Sequence, residues 1–323
     1  MLIATLIKRK PTGCITPSRI VGNNKIYTDK SDICEQFNQY FINVGPQPAS
    51  TIPQNNENPM GYIKKTPLPS FVMSPVTEAQ VSRLFSNLDE QKASLDIPNK
   101  LIKIAAEPLS KPLAFIYNQS ITTGIVPDAS QVTPIYKSGD VTDTGTYRPI
   151  ATLSSFRKVL EPLIYDQLYA FLEKYDVIYK YQFGFRKGFS TEQAILEITD
   201  SLNTAIDDKQ ITCGIFLDSS KAFDTVNHNI LLSKLYAYGI RGIPYNWFES
   251  YLHQHTQCIK IEDSRSSLDT IICGIPQGST LGPLLFLFYI NDLPNSSSKF
   301  SFRIFADDTN MFFSSNSSSE LES

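Results

Sequence analysis

The sequence predicts an α+β fold, and three observations carry that prediction. Apolar residues recur at helical spacing in several stretches, short strand-like runs lie between and after them, and the two mix without the strict alternation of a doubly wound parallel sheet. With 323 residues, 41% hydrophobic and 19% charged, the chain can fill one large or two modest domains with a sizeable core, and its balance excludes a disordered protein. There is no internal repeat.

The elements follow in order. Residues 1 to about 43 contain a hairpin around Gly22-Asn23-Asn24 and a short helix near Asp32–Phe41. Residues 44 to 70 hold Pro46, Pro48, Pro53, Pro59, Pro67 and Pro69 among several asparagines, a linker composition. The main boundary is expected there, making 1–70 a connector and 71–323 the principal unit. Ser74-Pro75 reads as a cap with proline at the first helical position, leading into Val81, Leu84, Phe85 and Leu88. A second helix runs through Leu160, Leu163, Ile164, Leu168, Phe171 and Leu172. A third opens on the capping box Ser190-Thr-Glu-Gln193 and sets Ile195, Ile198, Leu202 and Ala205 on one face. Strands are expected at Val132–Tyr136, Thr212–Leu217, Thr256–Ile261 and Phe300–Phe305. The tail SSNSSSELES is polar and reads as disordered.

Bulk charge excludes less than it suggests. A net charge of −3 and a pI near 5.7 argue against a broadly basic nucleic-acid surface, but a groove can be basic while the whole is acidic. Between Lys137 and Lys187 there are eight Lys/Arg against six Asp/Glu, a slight local bias. The five cysteines are odd in number and without CxxC spacing, which suggests neither a disulfide framework nor a zinc site but reduced thiols in an intracellular protein. The start, MLIATLIKRKPTG, places apolar residues before charges, the reverse of a secretory signal. The longest apolar run, Leu281–Ile290, is about half a membrane span, so no membrane association is expected.

Chemistry concentrates in three pieces. Ile215-Phe-Leu-Asp218 reads as a buried apolar strand ending in a carboxylate at the lip of a sheet. In residues 301–313, SFRIFADDTNMFF, Phe302, Ile304 and Ala306 alternate with Ser301, Arg303 and Phe305, and apolar residues resume at Met311. That pattern is a β-hairpin with Asp307 and Asp308 at its turn. An isolated Asp-Asp is usually a solvated turn; here both flanks are apolar, so the turn emerges from a buried sheet. With Asp218 beside it, three carboxylates would crowd one spot, which like charges tolerate only with a cation. Few, hard oxygen donors suit Mg²⁺, with substrate phosphates as further ligands. The third piece, Gly274-Ile-Pro-Gln-Gly-Ser-Thr-Leu-Gly-Pro283, is a tight loop whose bare backbone can lie against a base or sugar, followed by an apolar helix.

In order and wording, FLDSSKAFDTVNH, GIPQGSTLGPLLFLFYINDL and FADD resemble the successive active-site motifs of reverse transcriptases, in particular those of non-LTR (LINE-type) retrotransposons. Upstream, TPIYKSGD, YRPIATLSSFRKVLE and QFGFRKGFSTEQAI resemble the fingers motifs of that group. The likeness spans about residues 76 to 313 and is most recognisable over 117–313. It implies a right-hand polymerase with fingers and an antiparallel palm sheet with packed helices, adding deoxynucleotides to a primer 3′-hydroxyl on an RNA template. It implies two Mg²⁺ ions, with Mn²⁺ as a possible substitute, and as partners an RNA template, a DNA primer and deoxynucleoside triphosphates. Asp218, Asp307 and Asp308 would be the catalytic carboxylates and metal ligands, joined by the carbonyl of Ser219. Phe223 stands at the family's aromatic gate against a ribose 2′-hydroxyl, core packing being its other reading. Lys137 and Arg148 match positions that hold the triphosphate, or are a solvated surface pair. Gln277 and Gly278 would touch the incoming nucleotide and template. Arg186 and Lys187 would contact template backbone, or are simply exposed.

Departures from the family pattern set a rival expectation. PDASQVTP is shorter than usual and expected to damage a fingers strand, KASLDIP lacks a customary glycine, and Phe189 and His255 replace a histidine and an arginine. The thumb and the palm segment bearing the proton-donating lysine are expected to be missing after the FADD motif, and an endonuclease before it. The rival is therefore a catalytically dead remnant that binds RNA or protein only. His228, His253 and His255 show no triad or metal spacing and read as structural or exposed. Asp224 is expected to cap or pair locally rather than to bind metal, and Asp292 to end a helix.

Overall fold

The computed structural model describes residues 17–22, 25–47, 58–63, 68–90, 97–127, 130–219, 221–253, 256–317 and 320. The first hairpin, β1 (Ile20–Gly22) with β2 (Lys25–Tyr27), lies where expected. Helix α1 (Lys30–Asn43) begins at Asp29, whose carboxylate accepts from the Ser31 and Asp32 amides. It buries Ile33, Cys34, Phe37 and Phe41 against Val132, Tyr147, Ile259 and Ile261. The proline-rich stretch thus separates this helix from the later strands in sequence, not in space.

Helix α2 (Glu78–Ser86) starts later than expected. Its cap is Thr77, reciprocated by Gln80 in a capping box, because Ser74 is held in extended backbone by Gln167 through two bonds of 2.6 and 3.0 Å. Helices α3 (Asn99–Ile104) and α4 (Ala106–Thr123) follow, the latter ending on Gly124 in the left-handed conformation. Next come strands β3 (Ser130–Tyr136) and β4 (Tyr147–Leu153), paired antiparallel along their whole length. The shortened Pro127–Pro134 segment therefore leaves its strand intact, contrary to expectation. KASLDIP falls largely outside the described residues, as does His255.

Helix α5 (Arg157–Lys174) runs through the main apolar core, beside Trp247, Phe248 and Leu284. Helix α6 (Thr191–Asp207) opens on the expected Ser190/Gln193 capping box. The face read from its spacing is covered unevenly: Ala205 is buried, Ile198 and Leu202 are half-buried, and Ile195 is 63% exposed. The helix lies on a small sheet that shields only part of that face. Strand β5 (Ile211–Leu217) then precedes helices α7 (His228–Ala237) and α8 (Ile243–His253). The run Thr256–Ile261 divides into β6 (Thr256–Gln257) and β7 (Lys260–Ile261), which pair with β9 (Asp269–Thr270) and β8 (Ser264–Arg265) respectively. Helix α9 (Gly282–Ile290), then β10 (Ser301–Phe305) and β11 (Asp308–Ser315), complete the chain. Every named strand pair is antiparallel, so the fold is α+β with antiparallel sheets. Asp292 lies just past α9, as read, and there forms a buried ion pair with Lys234, whose ammonium also donates to the Tyr289 carbonyl at 2.6 Å.

One buried carboxylate ties the helical body together. Glu161 on α5 accepts from Arg157 Nε at 3.2 Å, the Tyr251 hydroxyl at 3.1 Å, and the backbone amides of Thr280 and Leu281 at 2.6 and 3.4 Å. The Arg157 guanidinium lies 4.7 Å from the Tyr251 ring centre. Among the described residues the cysteines are free thiols, and no helix is long and apolar enough to cross a membrane.

Removing one member of a buried ion pair leaves the other charge without compensation. Glu161→Ala is therefore expected to lower stability by about 3–5 kcal/mol, read as a shift of the urea midpoint at unchanged slope.

Candidate active site

The three-stranded sheet, ordered β10-β11-β5, places the acids. Phe305 pairs with Asp308, so Ala306 and Asp307 are the hairpin turn, and Ala306 takes φ +57° to close it. On the other side Thr309 pairs with Leu217, which brings Asp218, the residue just past the end of β5, beside Asp308. The carboxylates interact: partial burial first, then the charges of Asp307 and Asp218, push the Asp308 carboxyl above the usual range. The structure thus brings Asp218, Asp307 and Asp308 to one end of one sheet. Among the described residues no group of three or more His, Cys, Asp or Glu side chains is placed so as to hold a metal ion by itself. The donors are all oxygen, the chemistry that Mg²⁺ accepts when water and phosphate supply the rest of its ligands. Ser219 is exposed beside Asp218.

The sheet differs from expectation in one respect. Strand β5 is not buried: Ile215, Phe216 and Leu217 are 38%, 71% and 47% exposed. It is the sheet's outer strand, and the part of α6 that reaches it leaves most of its side chains uncovered.

The hairpin's inner edge is pinned by the segment around Gln182. The Phe183 amide donates to the Ile304 carbonyl at 2.8 Å and the Ile304 amide to the Tyr181 carbonyl at 2.9 Å. Gln182 Oε1 accepts from the Ala306 amide at 3.0 Å and the Gly184 amide at 2.9 Å. A Cβ on Gly184 would stand 2.2 Å from the Ala306 nitrogen, so only glycine fits against the turn.

Arg186 requires a correction. Its side chain is only 8% exposed, donating to the carbonyls of Tyr179 and Gln182 and to Glu173, and its guanidinium lies 4.1 Å from the Phe189 ring centre. Those contacts hold the bend before α6, so Arg186 is not offered to a template. Lys187 is exposed, with its ammonium on Asp166 at 3.1 Å.

The second cluster lies around the glycine-rich loop. The Gln277 carbonyl accepts from the Ala151 amide at 2.8 Å, fixing the loop to β4. Gly278 is exposed, with φ +95°. Arg148 faces Ile135 across the hairpin, and Lys137 follows β3 in the next same-face position, with its amide on the Thr146 carbonyl at 2.9 Å. Both side chains are exposed on one face and, among the described residues, neither forms an ion pair. The Phe223 ring stacks on Phe286 at 4.6 Å and meets Phe185 edge-on at 5.8 Å. Core packing and a gate position are compatible, since one face is packed and the residue remains half-buried.

Sequence reasoning missed several of these residues. Phe185, at φ +57° and 43% exposed, carries the partner ring of Phe223. Arg303 is buried, its guanidinium 3.9 Å from the Tyr181 ring centre and bonded to Glu197. A strict in-out alternation had set it on the solvent side; a lone arginine within an apolar hairpin was the signal. His228 Nε2 donates to the Gly274 carbonyl at 2.7 Å and its ring meets that of His253 edge-on; His228 is buried and His253 exposed.

Comparison with known proteins agrees with this geometry. Residues 135–322 match the family described as reverse transcriptase (RNA-dependent DNA polymerase). The chain is 32% identical over 234 residues to the RNA-directed DNA polymerase from mobile element jockey of Drosophila melanogaster, covering 70% of this chain and 25% of that protein. It is 30% identical over 271 residues to the probable RNA-directed DNA polymerase from transposon BS of the same organism, covering 79% and 30%. With the probable polymerase from transposon X-element the figures are 33% over 173 residues, covering 51% and 19%. The chain thus spans less than a third of the length of these relatives.

Gly184→Ala is expected to displace the Ala306-Asp307 turn while leaving the helical core in place. Amide hydrogen exchange should quicken at 301–309 and stay unchanged in α5 and α8; unchanged exchange at the hairpin would refute the close-packing argument.

Proposed function

The chain belongs to the reverse transcriptase (RNA-dependent DNA polymerase) family, and we propose that it forms the fingers and palm of such an enzyme and adds deoxynucleotides to a primer 3′-hydroxyl on an RNA template. The observation that supports this most is the meeting of Asp218, Asp307 and Asp308 at one end of a sheet, where the charges of Asp307 and Asp218 act on Asp308. Asp218, Asp307 and Asp308, with the Ser219 carbonyl, would hold two Mg²⁺ ions, for which Mn²⁺ can substitute. Such ions, when bound, activate the attacking hydroxyl and stabilise the leaving pyrophosphate.

The chain's own residues would do the rest. Lys137 and Arg148, exposed on one face without ion-pair partners among the described residues, are free to neutralise and orient a triphosphate. Phe223, held from behind by Phe286 and at its edge by Phe185, would present a fixed ring that a 2′-hydroxyl cannot pass. The bare backbone at Gly278 and the amide of Gln277 would lie against the nucleotide and the template base. Lys187 can leave Asp166 for template phosphate, since an exposed pair is worth little.

Primer extension on a primed RNA, with and without Mg²⁺, tests the reading. Wild-type chain is expected to add deoxynucleotides only with the metal, and Asp307→Ala to reduce addition to background. Equal addition by the two would remove the catalytic assignment, and binding of RNA without transfer by either would favour the remnant instead. Phe223→Ala is expected to admit ribonucleotides at least tenfold more readily than wild type, on the order of the 1–3 kcal/mol that one steric contact supplies. In the absence of nucleic acid, Mg²⁺ at ten times its dissociation constant should raise the melting temperature by roughly 2 °C, and not in Asp308→Asn.

A further inference from the structure

Asp224 follows the gate residue, and its surroundings are unusually constrained. Its amide donates to the Lys221 carbonyl at 2.9 Å. The neighbouring Phe223 and Val226 carbonyls accept from the Ile275 and Gly274 amides, each at 2.8 Å, so residues 223–226 are stitched to the start of the glycine-rich loop. A Cβ on Gly274 would lie 2.8 Å from the Asp224 carbonyl oxygen, which leaves no freedom between the two segments. From this fixed backbone the half-buried Asp224 carboxylate reaches across the loop and accepts a bond from Gln277 Nε2 at 2.7 Å. Lys221 and Arg148 lie near enough for their charges to act on it, while burial as the larger effect pushes its carboxyl above the usual range.

A carboxylate in that setting is not needed for packing, because the backbone bonds already close the two segments. Its chemical effect falls on Gln277. An ionised carboxylate only accepts, so it selects the nitrogen end of the amide and refuses the oxygen end. A glutamine without such a partner can rotate its amide by half a turn and present either end to a ligand. We propose that Asp224 is a positioning residue that binds the Gln277 amide nitrogen, fixes the orientation of that amide, and so commits its carbonyl oxygen to the incoming nucleotide. The role rests on the reading above that Gln277 touches the nucleotide. It makes selection at the loop depend on a residue that meets no substrate itself.

Two measurements test this. In chain labelled with ¹⁵N-glutamine, the Gln277 side-chain amide is identified by the resonance lost in Gln277→Glu. Asp224→Ala is expected to shift that resonance and bring its two hydrogens to faster exchange with water, and Asp224→Asn, which keeps an oxygen acceptor, to restore most of the wild-type position. An unmoved resonance overturns the proposal whether or not the chain polymerises. The second measurement is a double-mutant cycle on the deoxynucleotide KM in primer extension. Gln277→Ala and Asp224→Ala are each expected to raise KM about tenfold with kcat less affected, and the double variant no further than Gln277→Ala alone. Additive effects, or a loss of melting temperature in Asp224→Ala with KM unchanged, would mean that Asp224 acts independently of Gln277 and would overturn it. Extension by wild type no greater than by Asp307→Ala would instead defeat the polymerase reading, and the resonance would still decide the Asp224–Gln277 coupling.

Discussion

The arrangement of the chain depends on the carboxylate of Glu161. It lies at the meeting point of a helix, a ring and a loop, with four donors directed at it from Arg157, Tyr251, Thr280 and Leu281. The two backbone donors matter most for function, since they belong to the first turn leading into α9, where amides have no intrahelical acceptor. By satisfying them from α5, Glu161 holds the end of the glycine-rich loop, while β4 and the 223–226 segment hold its middle and beginning. The loop is therefore fixed from three directions, and the residues at its crest inherit their placement from a charge at 1% exposure.

How far the sequence revealed this differs by element. Helix α5 was legible from its apolar spacing and α6 from its capping box, and the β10–β11 hairpin because apolar flanks enclose two acids. Strand β4 was not: YRPIATL contains Pro149 and no clean alternation, and becomes a strand only because β3 offers a partner along its full length. Helix α4 carries Pro112 in its interior, which hides a continuous helical pattern. The burial of β5 was misjudged for a physical reason. A continuous apolar run implies cover on both faces, but cover depends on what else packs there, which no local pattern encodes.

The site divides in the same way. Asp218, Asp307 and Asp308 could be brought together on paper because each ends or turns a strand. Arg186 could not be assigned, because a cation in a glycine-containing bend has the same local sequence whether its donors meet phosphate or the chain's own carbonyls. Asp224 and Gln277 are 53 residues apart, and nothing at either position points to the other. Their contact arises from the backbone pairing of the two segments, a property of the tertiary fold alone.

The open outer strand has a consequence for how ligands would be sensed. β5 carries Asp218 at its end, has one hydrogen-bonded neighbour, and exposes side chains along most of its length. Segments with few buried contacts open at lower free energy than the core they adjoin. The acid at the end of β5 therefore rides on a part of the molecule that breathes more readily than the helices behind it. Occupancy of the carboxylate cluster would stiffen this strand first, so that binding at the site tightens the periphery and leaves the interior as it was.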